Sequence, residues 1–135
     1  MEVRIYYEDT DCGGVVYYAN YLKYFERART HYLEERGISV AQLVKEGIQF
    51  MVVRAEVDYC SAARYGETLV IDTTLDKEGR AGLTFSHIIR ERLSQRVIVE
   101  GSATLITTTL EGKPKRLDAA LFQALQAPPK GNPDA

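Results

Sequence analysis

Apolar and polar residues alternate at the start of the chain. Val3, Ile5 and Tyr7 share one phase, and this period of two predicts a first strand. From about Tyr18 to Arg36 the period changes. Tyr21, Tyr24, Phe25, Ala28 and Tyr32 fall at i, i+3, i+4 spacing and predict a long helix with one apolar face. Glu26, Arg27, Arg29, Glu34 and Glu35 fall mostly on the other faces, and Gly37 is a natural stop. Ser39 with Gln42 three residues on predicts a capped short second helix, which Gly47 ends.

Beyond Gly47 the pattern is that of strands. Ile48, Phe50 and Val52 lie on one phase, and Val53, Ala55, Val57 and Tyr59 lie on the other. A phase switch within one strand predicts a β-bulge or sharp bend. Leu69, Ile71 and Leu75 mark the next strand, and Lys77 to Arg80 a turn. Leu83, Phe85, His87 and Ile89 mark another, followed by a turn at Leu93 to Arg96. Val97, Val99, Ala103 and Leu105 share a face of a long last strand. Leu117, Leu121, Phe122 and Leu125 predict a short amphipathic helix near Asp118 to Gln126. The tail 127–135 holds three of the four prolines and is expected to be disordered, leaving one domain over 1–126. One long helix against a mostly antiparallel five-stranded sheet is an α+β layer fold, and the bulge gives the sheet a means of curving around the helix.

Composition narrows the classes. At 135 residues the chain can bury a core but is short for two domains. A net charge of −2 disfavours a general nucleic-acid binder. No apolar run approaches a membrane span, and the alternating pattern begins at Met1-Glu2-Val3-Arg4 without a leader-like segment. Cys12 and Cys60 are the only cysteines, so a reducing, cytoplasmic setting is the simplest context. His31 and His87 are far apart, and neither CxxC nor HExxH occurs, so no metal is expected.

The densest chemistry lies in Tyr7-Glu8-Asp9-Thr10-Asp11-Cys12-Gly13-Gly14-Val15-Val16-Tyr17-Tyr18-Ala19-Asn20-Tyr21. Two carboxylates precede a glycine turn and the start of the long helix. A carboxylate can act as nucleophile or general base, and a helix start presents unpaired N–H groups able to hold a developing oxyanion. The combination is that of an acyl-transfer site. Gly13-Gly14 lets the backbone pass close to a substrate. Tyr17, Tyr18, Tyr21 and Tyr24 could line an acyl pocket or pack in the core. Asp9 reads as a structural acceptor for the loop backbone. Cys12 lacks an activating base nearby in sequence, so it reads as a small loop residue. Glu26, close to Arg27 and Arg29, reads as half of a surface or interface ion pair. His31 and His87 read as packed or partly exposed side chains rather than bases.

The run Asp9 to Tyr21, followed by Tyr24-Phe25-Glu26-Arg27-Ala28-Arg29, resembles the hotdog-fold acyl-CoA thioesterases, in the 4-hydroxybenzoyl-CoA thioesterase-like family and its Tol–Pal-associated branch. The resemblance in element order extends to about Leu117. It implies that Asp11 is the catalytic carboxylate and that the backbone N–H of Tyr18, at the helix start, polarises the thioester carbonyl. Some relatives carry histidine where this chain has Tyr18, but a backbone donor is indifferent to the side chain. Gly14, Val16 and Tyr17 are then candidate substrate contacts.

If the thiol half is coenzyme A, its phosphates call for Arg or Lys, and the candidates are Arg64, Arg80, Lys113, Lys115 and Arg116. No cofactor is implied, because coenzyme A belongs to the substrate. The resemblance further implies a homodimer or homotetramer with sites formed between subunits; the strands Ile48–Tyr59 and Arg96–Thr109 are the interface candidates. An acyl-carrier-protein thioesterase and a non-catalytic acyl-CoA-binding or scaffold protein are the alternative readings.

Overall fold

A computed structural model describes residues 1–78 and 82–130. Its elements are β1 (Glu2–Arg4), a 3-10 turn (Tyr7–Asp9), α1 (Asn20–Glu35), α2 (Val40–Lys45), β2 (Gln49–Tyr59), β3 (Thr68–Glu78), β4 (Gly82–Glu91), β5 (Val97–Thr108) and α3 (Ala119–Gln126). The five strands form one antiparallel sheet in the order β1-β3-β4-β5-β2. This is the hotdog arrangement, with α1 laid against the concave face.

The helix face follows its sequence spacing. Tyr21, Tyr24, Phe25, Ala28, Tyr32 and Leu33 are buried, and Arg29 is buried beside them. The sheet meets them with alternate residues of β4, where Leu83, Phe85, His87, Ile89 and Glu91 all point inward. At Gly101 of β5 the approach is closest. A Cβ there would stand 2.6 Å from a Phe25 ring carbon and 2.6 Å from the Glu56 carbonyl oxygen. Phe25 itself stacks on His87, with ring centroids 4.5 Å apart.

The expected phase switch in β2 is a bulge. Val52 pairs with Leu105 and Arg54 with Thr104, so Val53 is the extra residue. Gly37 and Gly47 end α1 and α2 with φ of 75° and 81°, and Ser39 Oγ accepts the Gln42 N–H. Asp118 caps α3 by accepting the Leu121 N–H at 2.7 Å.

Several expectations differ from what is found. The first strand stops at Arg4, and Tyr7 turns outward, because the backbone closes a 3-10 turn in which the Tyr6 N–H donates to the Asp9 carboxylate at 2.9 Å. The long helix begins at Asn20, two residues after Tyr18. The last strand, β5, lies inside the sheet between β4 and β2, so it offers no free edge; the edges are β1 and β2. The expected turn at residues 77–80 falls partly outside the described residues, as do residues 131–135 of the tail. Lys130 N–H donates to the Glu35 carbonyl at the end of α1 at 2.8 Å. No described helix is long and apolar enough to cross a membrane.

Candidate functional site

The segment from Asp9 to Tyr17 doubles back on itself. Asp11 N–H donates to the Val15 carbonyl at 2.9 Å, and Tyr17 N–H donates to the Asp9 carbonyl at 3.1 Å. Between these rungs Gly14 takes φ of 78°, and its N–H donates to the Asp11 carbonyl. The Asp11 carboxylate accepts the Gly13 N–H through Oδ1 at 2.8 Å, an Asx turn at the exposed tip. Its Oδ2 has no hydrogen bond among the described residues, leaving that oxygen available for chemistry.

The hairpin leads directly into α1. Val16 is buried, and its N–H donates to the Ala63 carbonyl, which fixes the hairpin to the loop after β2. Tyr17 and Tyr18 are both exposed, with ring centroids 4.9 Å apart. The Tyr17 phenol is held above its ordinary value, first by its hydrogen bond with Tyr18 and then by the charge of that neighbour. The Tyr18 N–H has no partner among the described residues. Ahead of α1, the Asn20 N–H donates to the Tyr17 carbonyl at 2.9 Å, and no side chain caps the helix. An uncapped helix start with a free amide is a ready donor to an anionic oxygen.

A depression of about 250 Å³ opens beside this amide, lined by Val16, Tyr18, Tyr21, Tyr59, Cys60, Ser61 and Ala62. Tyr59, at the end of β2, donates its hydroxyl to the Tyr18 carbonyl at 3.3 Å. The Tyr21 hydroxyl accepts the Ala63 N–H, and burial raises that phenol above its ordinary value. Beneath lies Tyr24, also raised, first by burial and then by the neighbouring Asp9 carboxylate. A second cleft, of about 270 Å³, runs between α1 and β2 and is lined in part by Glu26, Arg29, Phe50 and Val52. Burial lowers the Arg29 guanidinium, with Glu26 opposing.

Not all candidate site residues come together within one chain. Arg64 is exposed and pairs through its backbone with Val15, next to the Asp11 hairpin. Lys113, Lys115 and Arg116 are exposed on a segment that folds back along the end of β5, where the Lys115 N–H donates to the Thr107 carbonyl at 2.9 Å. That end is far from the Asp11 hairpin, since the loop following β2 joins β5 near Ile98. The twelve residues of β5 span about 40 Å. Arg64 and the Lys113, Lys115 and Arg116 group therefore do not form one patch in a single subunit. Arg80 lies outside the described residues.

His31 pairs with Glu35 on the surface of α1, and His87 is in the core, so neither faces the hairpin. Cys12 and Cys60 are free and exposed. No group of three His, Cys, Asp or Glu side chains among the described residues is placed to hold a metal ion. The sequence reading passed over Asn20 and Tyr59, which hold the backbone on either side of Tyr18. An asparagine opening a helix was the available signal, since asparagine disfavours helix interiors and serves best at their starts.

Comparison with known proteins agrees with this architecture. The profile of the thioesterase-like superfamily matches residues 6–127. Acyl-CoA thioesterase YbgC of Haemophilus influenzae is 39% identical over 104 residues, 76% of this chain and 74% of that protein. Acyl-CoA thioester hydrolase YbgC of Escherichia coli O157:H7 is 41% identical over 87 residues, 64% of this chain and 65% of its own. Among solved structures, DHNA-CoA thioesterase from Staphylococcus aureus superposes with a TM-score of 0.87 at 29% identity, covering 93% of this chain and 89% of its own. With the profile spanning nearly the whole described chain, and with the hotdog sheet wrapped on its helix, this protein belongs to the thioesterase-like superfamily.

Proposed function

We propose that this protein is an acyl-CoA thioester hydrolase whose reacting groups are the Asp11 carboxylate and the Tyr18 N–H. The observation that carries the reading is the free Tyr18 amide at an uncapped helix start, reached by a hairpin that presents Asp11. The names of the two YbgC relatives support the substrate class.

In the nucleophilic route, the free Asp11 oxygen attacks the thioester carbon. The carbonyl electrons move onto oxygen, where the Tyr18 N–H stabilises the charge. The C–S bond then breaks, coenzyme A leaves as thiolate and takes a proton from solvent, and water opens the mixed anhydride to the free acid. In the general-base route, Asp11 takes the proton from a water that attacks the same carbon. A single turnover in ¹⁸O-water separates them, since only the nucleophilic route can leave the label in the Asp11 side chain.

A second copy completes the site in this reading. β2 is an edge of the sheet and carries Val52 and Val53 at 46% and 53% exposure, an exposed apolar stretch able to pair with another chain. Twofold antiparallel pairing of two β2 strands lays the Gln49 end of one beside the Tyr59 end of the other. Gln49 also holds the Thr109 carbonyl, so Lys113, Lys115 and Arg116 of one subunit approach the hairpin of its partner. Their charge is then available to coenzyme A phosphates.

The test is thiol release from short aliphatic, long aliphatic and aromatic coenzyme A esters by wild type and Asp11→Asn. The expected outcome is hydrolysis by wild type and a loss of at least about 10³-fold in kcat in the variant, with its fold and oligomeric state intact. Full activity in Asp11→Asn would refute the role given to that carboxylate.

A further inference from the structure

The Asp9 carbonyl oxygen accepts two hydrogen bonds, one from the Tyr17 N–H at 3.1 Å and one from the Asn20 side-chain amide at 3.0 Å. These donors stand on either side of Tyr18. Asn20 contributes again through its own N–H, which donates to the Tyr17 carbonyl at 2.9 Å. The peptide joining Tyr17 to Tyr18 is trans and planar, so its C=O and N–H point in opposite directions. With the carbonyl drawn toward the Asn20 N–H, the Tyr18 N–H points the opposite way, away from α1. Asp9 O, Asn20 and the Tyr17 backbone close a ring of hydrogen bonds around the peptide that carries the free amide.

We propose that Asn20 is a positioning residue, whose side chain clamps the helix start to the Asp9 carbonyl and so aims the Tyr18 N–H at the substrate carbonyl. This rests on the reading of that N–H as the oxyanion donor. The residue type fits the task. An aspartate would match asparagine in size and suit the positive end of α1 better, but its carboxylate would face the Asp9 carbonyl oxygen without a proton to donate. Helix stability and clamp are thereby separable by substitution. A misaimed donor is costly: displacement by about 1 Å can lose ~10² in rate, and loss of one oxyanion donor ~10²–10³.

The experiment compares wild type with Asn20→Asp, Asn20→Ala and Asn20→Gln on the best coenzyme A ester. Asn20→Asp and Asn20→Ala are expected to lose roughly 10- to 100-fold in kcat with KM within about twofold, while Asn20→Gln, which keeps an amide donor, recovers part of the loss. A second readout does not need turnover: the infrared carbonyl band of the ester bound to unreactive Asp11→Asn. Adding Asn20→Asp should move that band back toward its frequency in the free ester. If wild type hydrolyses the ester and both donor-less variants keep kcat within twofold, the clamp is refuted and the role of Tyr18 stands. Equal losses in all three variants accompanied by a fall in melting temperature would make Asn20 merely structural and also refute it. Should wild type hydrolyse no ester, the clamp falls with the reading it rests on.

Discussion

Among single residues, His87 has the most unusual surroundings. It is 1% exposed, shares a hydrogen bond with Thr73 through Nδ1, and leaves Nε2 without a partner among the described residues. Burial, then the positive charge of Arg29, lowers its pKa to about 4, with Asp76 opposing. Below its unfolded value of about 6.5, the unfolded chain takes up a proton that the folded core refuses. Stability from this residue is therefore complete above pH ~6.5 and declines as pH falls toward 4, by up to about 1.4 kcal/mol per pH unit. His87→Gln is expected to flatten that slope by roughly one proton in urea unfolding measured between pH 7 and 4. The sequence anticipated a packed or partly exposed histidine on a strand face, because alternation along β4 puts position 87 in phase with Phe85 and Ile89. It could not anticipate the stacking on Phe25, which depends on where the helix crosses the sheet. Asp11 could be named as a candidate for a different reason: its motif is contiguous. The clamp from Asn20 to Asp9 spans eleven positions and exists only once the hairpin has closed.

Elements were legible where their period was clean. The apolar stripe of α1, the bulge in β2 and the short helix α3 all follow from side-chain spacing. Alternation misled at the chain start, where local hydrogen bonds to Asp9 outcompeted a longer β1. It also says nothing of which strand lies at an edge, so β2 and β5 looked equally available in sequence. The crossing of α1 over β5 depends on a hydrogen atom at position 101. Gly101→Ala places a methyl against the Phe25 ring and the Glu56 carbonyl, and the backbone atom cannot swing aside. A loss of about 1–3 kcal/mol in stability is expected by thermal or urea unfolding. Phe25 is only five residues past the first residue of α1, so the same displacement should reach the free amide end, about 8 Å along the helix.

For the whole molecule, the decisive fact is that the Asp11 hairpin and the Lys113–Arg116 segment lie at opposite ends of the sheet. In the proposed twofold dimer, each site takes its carboxylate from one chain and part of its cationic surface from the other. Two defective chains can then repair one another. A subunit carrying Asp11→Asn and a subunit lacking the three cations, unfolded and refolded together, should form mixed dimers with one sound site each. Thiol release at low substrate should reach about a quarter of the wild-type value for equal amounts and random pairing. If each chain held a whole site, mixing would give only the average of the two defective parents. The same division of labour has a genetic consequence: two recessive alleles of one gene, each silent alone, would complement in a cell expressing both, and that cell would carry a working enzyme encoded by neither allele.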